Sequence, residues 1–296
     1  MIAGSKGHNT TQFLAFVLPG FLFYAVFVLW PAVGGLYFGF TNWNLLNSQY
    51  QFVGLANYRE ALLEDRAFVQ SVLFTLRFVG VMVVAQNVLA LALAILIESL
   101  KGKKQVLFRT IFFLPNMISM IIAGFMWMFI FTRVLPFLGN FWGLGFLDQS
   151  WIGDPNFSFI AIVLVSLWAG VGYLMIIYVA ALQGIPRQML EAATIDGADP
   201  WTVFTRIKLP LILPGITIGL FLALNSSFKV FEVVFALTGG GPGRATEVIA
   251  LNIFEEAFNM NYRFGYASAK ANVLFFVVSV VTIIQLTIMK RREIQA

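Results

Sequence analysis

The sequence predicts an all-α integral membrane protein of six transmembrane helices, with a helical hairpin on its cytoplasmic side. Hydrophobic residues make up 59% of the 296 residues and charged residues only 11%, whereas ordinary soluble domains carry about 25% charged residues. The apolar residues also occur in long runs, and a helix of about 20 such residues crosses the hydrocarbon core of a membrane. These runs disfavour the alternative, a soluble protein with an unusually large core.

Six stretches have the required length. Each is predicted to be a helix because lipid offers no partner for unpaired backbone groups, and a transmembrane β-barrel would instead show alternating segments of about ten residues. The first stretch is charge-free from Phe13 to Trp30, which is too long for a secretory signal peptide, so it is predicted to be a retained span. The whole chain, 1–296, is predicted to form one transmembrane domain. The predicted spans are 13–38, 71–97, 108–132, 157–183, 209–236 and 267–289.

The distribution of lysine and arginine predicts which side of the membrane each loop faces. Eleven of these residues lie in the two tails and in the connections after the second and fourth spans, and five lie in the other loops. Because cytoplasmic loops carry the excess of positive charge, both termini are predicted to be cytoplasmic. The same asymmetry accounts for the net charge of +5 without a nucleic-acid partner. The eleven residues are Lys6, Lys101, Lys103, Lys104, Arg109, Arg187, Arg206, Lys208, Lys290, Arg291 and Arg292.

Several kinds of site are disfavoured by residues that the chain lacks. It has no cysteine, and its only histidine is His8 in the N-terminal tail, so neither a thiolate or histidine metal site nor histidine acid–base catalysis is expected. No G-x-x-x-x-G-K-[ST] motif occurs, so the chain is not expected to bind ATP through a P-loop. The candidate carboxylate pairs are Asp148 with Asp154 and Glu255 with Glu256, in segments typical of solvated loops. No catalytic residue, metal site or cofactor is therefore predicted in this chain.

The connection 186–210 is the most informative part of the sequence. It has 25 residues, whereas links between helices usually have about 2–8. Pro186 suits the first position of a helix, and Gly197 suits the left-handed residue that follows a helix end. Asp199 is predicted to cap a second short helix that starts at Pro200. Such a pair of helices either rests on lipid headgroups or offers a docking surface to a soluble partner, and these features alone leave both alternatives open.

The order of residues in this connection resembles the EAA motif of the permeases of binding-protein-dependent ABC importers. It reads Glu191-Ala192-Ala193, three residues, Gly197, nine residues, Ile207, one residue, and Leu209-Pro210, which agrees with the motif at every fixed position. Other segments resemble the sugar-permease branch of that family, which includes maltose and glycerol-phosphate permeases. The large extracytoplasmic domain and the two additional N-terminal spans of the maltose permease are not expected in this sequence. The resembling segments are 52–55 with Asn57-Tyr58, Arg109 with 113–115, and 237–243 with 245–247.

The resemblance implies the fold and the partners of a type I ABC importer permease. In this family the EAA segment is a coupling helix that sits in a cleft of the ATPase. The implied partners are a second, distinct EAA-bearing permease in a heterodimer, two ABC ATPase subunits that bind ATP and Mg²⁺, and an extracytoplasmic solute-binding protein. The chain would be a non-enzymatic, multi-pass carbohydrate permease surrounded by lipid in a bacterial or archaeal cytoplasmic (inner) membrane. The implied coupling residues are Glu191, Ala192, Ala193, Gly197, Ile207, Leu209 and Pro210.

Polar residues within the spans are candidates for the solute pathway, because placing them against lipid is costly. Lys229 and Glu232 stand three apart and can pair on one helix face, either as a structural ion pair or as part of the pathway. Trp168 and Tyr173 can stack on a sugar ring or pack between helices. The candidates are Asn225, Ser226, Ser227, Lys229, Glu232, Trp168 and Tyr173. Contacts between helices explain four further polar residues equally well: Gln86, Asn87, Asn116 and Ser119.

The nature of the solute and two other classes of protein remain as alternatives. Lys229 raises the possibility of a sugar phosphate or a uronate, but Glu232 offsets its charge, so a neutral oligosaccharide is favoured. A secondary transporter would usually have more spans, a repeated half and an acidic residue near the middle of the membrane. A membrane-embedded enzyme would need paired carboxylates or histidine at a membrane face.

Overall fold

The computed structural model describes residues 6–44, 46 and 49–291, and Arg292 of the basic tail lies outside them. Within these residues the chain is helical, and its only extended pairing is an isolated antiparallel bridge between Thr41 and Phe52. The predicted all-α class is thereby confirmed.

The helices of the described chain follow one another from the N-terminal to the C-terminal side. They are α1 (Lys6–Tyr24), α2 (Trp30–Phe38), α3 (Ala56–Arg59), α4 (Arg66–Ser99), α5 (Lys103–Phe113), α6 (Met120–Phe129), α7 (Leu135–Trp142), α8 (Pro155–Gln183), α9 (Arg187–Ile195), α10 (Pro200–Val203), α11 (Leu209–Leu211), α12 (Leu213–Phe228), α13 (Glu232–Leu237), α14 (Ile249–Phe254) and α15 (Phe264–Lys290). Short π-helical segments cover Ala25–Leu29, Glu60–Glu64, Ile130–Val134, Phe204–Lys208 and Glu255–Met260, and a 3₁₀ turn covers Leu114–Met117.

Five helical segments of the described chain are long and apolar enough to cross a membrane. They are Gln12–Phe38, Arg66–Ser99, Met120–Trp142, Pro155–Gln183 and Phe264–Lys290. A sixth crossing is formed by the pair Pro200–Leu211 and Leu213–Phe228, which is bent by 69°. Pro210 and Pro214 flank the bend, and proline lacks the N–H group that would continue the helical ladder. With the bent pair counted as one span, the described chain has the six membrane helices that the apolar runs predicted.

The third apolar run is interrupted rather than continuous. The run at 108–132 was expected to form one helix, but α5 ends at Phe113 and α6 begins only at Met120. Between them, Ile118 and Ser119 have ψ values of 134° and 132°, which are extended. Pro115 cannot donate to the helical ladder, and two extended residues cannot continue it. Beyond α6 the helix continues to Trp142, ten residues past the expected end.

The fifth run also ends early. The helix was expected to reach residue 236, but α12 stops at Phe228 and α13 starts at Glu232 after Phe231 has taken φ −143°. This break allows α13 to pack against α6. A Cβ at Gly124 of α6 would lie 2.6 Å from the Cβ of Ala236, so the two helices approach closely only because Gly124 has no side chain. Packing against a neighbouring helix therefore overrides the apolar pattern.

One compact unit consists of the chain up to Asp65 together with Ile253–Leu274. Asn272 holds the end of α2 by donating hydrogen bonds to the carbonyl of Leu36 (3.2 Å) and to the hydroxyl of Tyr58 (2.8 Å). Apart from this attachment at its end, the first span, Gln12–Phe38, lies open: no residue in its most apolar 18-residue window is buried within the described chain.

A cluster of charged side chains lies within this unit. The Nζ atom of Lys270 is 2.9 Å from Asp65 Oδ2 and 3.0 Å from Glu256 Oε2, and its side chain is only 1% exposed. Arg263 donates two hydrogen bonds of 2.7 Å to Glu60, and these bonds raise the pKa of Arg263. Each of these cations thus has carboxylate partners, which offset the cost of removing it from water.

The second compact unit consists of Arg66–Asn252 together with the chain from Phe275 onward. Helices α4 and α8 form its central pair, and α12 packs against both. Glycines permit close approach: a Cβ at Gly215 of α12 would lie 2.7 Å from the Cβ of Ala181 in α8. The hydroxyl of Tyr178 in α8 donates a hydrogen bond to Asn87 Oδ1 in α4. The buried apolar core of this unit contains Ala90, Ala94, Ile97, Val171, Leu174, Met175, Tyr178, Val179, Leu182, Ile185, Ile212 and Ala223.

Candidate coupling loop and solute cavity

The connection between α8 and α12 folds as the two short helices that its sequence predicts. Helix α9 ends at Ile195, and Gly197 then takes φ +72°, the left-handed conformation expected of it. The backbone N–H of Ala198 donates to the carbonyl of Ala193 at 3.0 Å and closes this turn. Pro186 was expected to occupy the first helical position, but it precedes the helix with ψ 126°. Its ψ lies outside the helical range, so α9 begins one residue later at Arg187.

Asp199 caps α10 as predicted. Its Oδ1 atom accepts hydrogen bonds from the backbone N–H groups of Trp201 (2.9 Å) and Thr202 (3.1 Å), and its Oδ2 atom accepts one from the Thr202 hydroxyl (2.6 Å). These donors favour the charged carboxylate, so they lower the pKa of Asp199 below its ordinary value, with the Thr202 hydroxyl as the largest cause. The cap fixes the direction in which α10 leaves the turn at Gly197.

The seven residues of the motif divide into two sets in the structure. Glu191, Ala192 and Gly197 are exposed at the surface of the loop. The others face inward: Ala193 is buried, and Ile207, Leu209 and Pro210 are partly buried. The first set is available to a partner, whereas the second is shielded from solvent by the rest of the protein.

The two most exposed large apolar side chains of the same loop lie outside the motif. Ile195 is 86% exposed and Trp201 is 71% exposed. Large apolar side chains this exposed, in a segment that also presents Glu191, suggest a contact with another molecule. Counting motif positions did not identify these two residues. The sequence showed both residues as apolar members of the two short helices, but it did not show that they face outward while Leu190 faces the core.

The loop is attached to the core at its base. Leu190 and Leu209 pack against the core cluster that contains Ile97 of α4 and Ile212 at the bend. An ion pair adds to this attachment, because Lys208 Nζ lies 3.3 Å from Glu98 Oε2 near the end of α4. The coupling loop, defined as residues 186–210, is therefore anchored to α4 as well as to α8 and α12, its neighbours in the chain.

A cavity of about 320 Å³ lies farther along the same helices. It is bounded by α4, α8, α12 and the interrupted segment before α6. Its volume falls within the range of about 300–1,000 Å³ that is usual for sites that bind small molecules. No lysine, arginine, aspartate or glutamate of the described chain lines it. Its polar lining consists of Gln86, Asn116, Ser166, Tyr173, Ser226 and Ser227.

The serines of this cavity have different hydrogen-bonding capacities. Ser166 donates to the carbonyl of Ile162 (2.7 Å) and Ser226 to that of Ala223 (3.2 Å), so each hydroxyl retains lone pairs that accept hydrogen bonds. The hydroxyl of Ser227 is buried and has no hydrogen-bond partner within the described residues. A buried hydroxyl without a partner is costly, and a polar solute in the cavity would satisfy it.

The structure places three of the seven candidate pathway residues in this cavity: Tyr173, Ser226 and Ser227. Asn225 lies outside the lining and donates to the carbonyl of Phe221 in its own helix (3.0 Å). Trp168 packs edge-on against Trp127, with ring centroids 5.6 Å apart. The lining thus comes from one face of each helix rather than from every polar residue.

Lys229 and Glu232 do not share a helix face as expected. The end of α12 at Phe228 separates them, and within the described chain no ion pair joins them. Neither residue lines the cavity. The expectation failed because a spacing of three brings side chains together only where the helix is continuous.

Several lining residues were not singled out as pathway candidates. Gln86 and Asn116 were explained equally well as contacts between helices, and Ser166 was not considered. The lining residues 78, 82 and 86 of α4 are spaced four apart. The lining residues 166, 170 and 173 of α8 are spaced four and then three apart. These spacings mark one face of a helix. Such periodicity in an apolar span is the signal that was available.

Comparison with known proteins gives a consistent result. Residues 86–294 match the family described as "Binding-protein-dependent transport system inner membrane component". The chain is 37% identical over 287 residues, 97% of each chain, to "Probable starch degradation products transport system permease protein AmyD" of Thermoanaerobacterium thermosulfurigenes. It is 35% identical over 94% of its length and 95% of the relative's to "Multiple sugar-binding transport system permease protein MsmF" of Streptococcus mutans.

More distant similarities concern another solute and the fold. The chain is 32% identical to "sn-glycerol-3-phosphate transport system permease protein UgpA" of Yersinia enterocolitica, over 93% of each chain. A chain of a bacterial ABC transporter involved in the import of the acidic polysaccharide alginate superimposes with a TM-score of 0.83 over 96% of both chains. Its sequence identity is 23%, so this likeness concerns the fold, which is that of an ABC importer permease.

Proposed function

Because this chain belongs to the family of binding-protein-dependent transport system inner membrane components, we propose that it is the permease subunit of an ATP-driven importer for a neutral oligosaccharide. It is a multi-pass membrane permease of the ABC importer class, a family that is typically non-catalytic. The names of the relatives AmyD and MsmF refer to starch degradation products and to sugars, which supports a carbohydrate as the solute.

The uncharged polar lining of the cavity is the observation that carries the choice of a neutral solute. Amide, hydroxyl and phenol groups can donate to and accept from the hydroxyls of a sugar, and the exposed ring of Tyr173 can cover an apolar ring face. An anionic solute would enter a cavity whose described lining offers no cation, and an uncompensated charge is costly to bury. The relative UgpA and the alginate importer keep an anionic solute as the second candidate.

The coupling loop connects this cavity to the energy source in the proposal. Two separate ATPase subunits bind ATP and Mg²⁺ and hydrolyse ATP, while this chain supplies only the docking surface. Glu191 offers a charge-assisted hydrogen bond, and Gly197 allows the tight turn that presents it. Closure of the ATPases moves the loop as a lever, and the spans alternate between inward- and outward-facing states.

The remaining parts of the proposed assembly follow from the same reasoning. A second EAA-bearing permease completes a heterodimer, and an extracytoplasmic solute-binding protein delivers the sugar. The basic connections after the second and fourth spans, together with both termini, face the cytoplasm of a bacterial or archaeal cell.

Co-purification tests the assembly directly. The tagged chain would be extracted in mild detergent from its native host, with and without crosslinking, and its partners identified by mass spectrometry. We expect a second EAA-bearing permease and an ATPase with a P-loop. Recovery of the chain alone after crosslinking would refute the importer and reopen the secondary-transporter and enzyme alternatives.

Substitutions in the coupling loop test its role. Glu191→Lys combined with Gly197→Pro should abolish uptake without preventing membrane insertion. A milder matched pair is Gly197→Ala and Gly143→Ala: both glycines follow the end of a helix, have positive φ (+72° and +67°) and have open space at the Cβ position, so alanine strains both backbones similarly. Only Gly197→Ala should reduce uptake, and normal uptake by the double variant would contradict the docking role.

Competition tests the choice of solute. Uptake of a labelled neutral oligosaccharide by the assembled transporter would be measured with glycerol phosphate or neutral sugars in excess. We expect only neutral sugars to compete, and Ser227→Ala to weaken uptake more than Ser71→Ala, whose hydroxyl is satisfied by the carbonyl of Phe68 away from the cavity. Inhibition by glycerol phosphate alone would favour the anionic alternative.

A further inference from the structure

We propose that Glu98 and Lys208 form a brace that makes α4 move with the coupling loop, so that this ion pair positions the cavity wall for each ATP-driven step. The inference rests on the proposed function and names two residues outside the EAA motif. Lys208 Nζ lies 3.3 Å from Glu98 Oε2, and the two side chains are only 23% and 24% exposed. The pair joins parts of the chain that are 110 residues apart.

The brace connects elements that the chain itself does not connect. The coupling loop continues directly into α8 and α12, whereas α4 has no covalent link to it. Of the ion pairs formed by the described residues, only this one joins the loop to a neighbouring helix. Glu98 is also the only acidic residue of α4. The structure thus concentrates the charged contact between loop and helix at a single point.

The position of Lys208 suits the transmission of motion. It ends the π-helical segment Phe204–Lys208, four residues before Ile212, and the backbone N–H of Ile212 donates to the carbonyl of Lys208 at 3.0 Å. The 69° bend lies at Ile212. The ion pair therefore holds the loop side of the bend, and Ile97, beside Glu98, packs in the same core cluster as Ile212. A displacement of the loop acts on α4 through both contacts.

Helix α4 carries this displacement to the cavity. It contains 34 residues without proline, and Gln86 lies twelve residues before Glu98, a distance of about 18 Å along the axis. Phe78, Met82 and Gln86 form its share of the cavity lining, opposite the residues from α12. With the brace intact, the α4 wall and the α12 wall move together with the loop. Without it, the loop drives α8 and α12, while α4 follows only through apolar contacts and the hydrogen bond between Tyr178 and Asn87.

A partly exposed ion pair contributes little to stability, so the brace is expected to affect coupling rather than folding. The experiment uses the complete transporter in proteoliposomes and measures solute uptake and ATP hydrolysis in the same preparation. The variants are Glu98→Gln, Lys208→Gln and the exchange Glu98→Lys with Lys208→Glu. Lys104→Gln is the matched control, because it removes an exposed charge from α5, which begins just after α4 ends, without breaking any ion pair among the described residues.

The ratio of solute transported to ATP hydrolysed is the decisive readout. Each single variant should lower this ratio by about fivefold or more, the lower end of typical coupling between sites. The exchange should restore the ratio and Lys104→Gln should leave it unchanged. Single variants with the wild-type ratio, or with uptake and hydrolysis reduced in proportion, would overturn the brace, as would an exchange no better than the single variants. Failure of the proposed function is distinguishable, because the wild-type chain would then neither assemble with an ATPase nor take up solute.

Discussion

Replacement of Gly172 by alanine should separate α5 from α8. A Cβ at this position would lie 2.6 Å from the carbonyl carbon of Phe112 and 2.9 Å from the Cα atom of Phe113. Both obstacles are backbone atoms, which cannot turn aside as a side chain can. Since ordinary contacts begin at 3.4 Å and the carbonyl oxygen of Phe112 lies closer still, α5 has to recede by more than about 1 Å. Overpacking of this kind costs about 1–3 kcal/mol.

The assay is thermal unfolding of the purified chain in detergent, with Gly80→Ala in α4 as the matched control. Nothing lies within 4 Å of a Cβ at Gly80, so this change reports only the benefit of alanine over glycine in a helix, about 0.5–1 kcal/mol. We expect Gly172→Ala to melt several degrees below the wild type, at about 2–4 °C per kcal/mol, and Gly80→Ala at or above it. Equal melting temperatures for the two variants would refute the close contact.

Three further predictions concern single groups. Lys270→Met leaves the carboxylates of Asp65 and Glu256 without their buried cation and should destabilise the chain by about 3–5 kcal/mol in thermal unfolding. Tyr178→Phe removes the hydrogen bond between α8 and α4 and should cost about 0.6–2 kcal/mol in the same assay. The carboxyl of Asp199 should titrate below its ordinary pKa of 3.8 by NMR; its contribution to stability is therefore complete above that value and lost as the pH falls through the lowered pKa.

Each of these predictions has its own control. Lys270→Arg keeps the charge and should lose less stability than Lys270→Met; equal losses would mean that charge compensation is unimportant there. Tyr178→Phe keeps the packing of the ring, so the loss reports the hydrogen bond alone, and an unchanged melting temperature would contradict its contribution. Thr202→Val removes the hydroxyl that contributes most to the shift at Asp199. A titration midpoint unchanged by that substitution would contradict the assigned cause.

Local chemistry made the coupling loop predictable from the sequence. The cap at Asp199 and the left-handed turn at Gly197 depend on a few neighbouring residues and on backbone preferences that any context shares. The number of apolar helices follows similarly from membrane thickness. The break in the helix at Pro115 was harder to predict, because proline is tolerated within membrane helices when neighbouring groups satisfy the backbone.

The cavity depended on packing that the sequence does not express. Tyr173, Ser226 and Ser227 came together with Gln86 because the glycines of α8 and α12 set how closely three helices approach. The sequence showed that polar residues were present in the spans, but it did not show which helix faces pack against one another. Lys229 and Glu232 were expected to share one helix face, but α12 ends at Phe228, before either residue.

The absence of buried residues along the most apolar part of Gln12–Phe38, within the described chain, has a consequence for mutational scanning. Lipid solvates one apolar side chain much like another, so a position that meets only acyl chains should accept leucine, phenylalanine or valine interchangeably. A position that contacts another protein should instead tolerate only side chains of certain sizes and shapes. The pattern of tolerance along this helix would therefore act as a footprint, with each intolerant residue marking where a neighbouring subunit touches it in the living membrane.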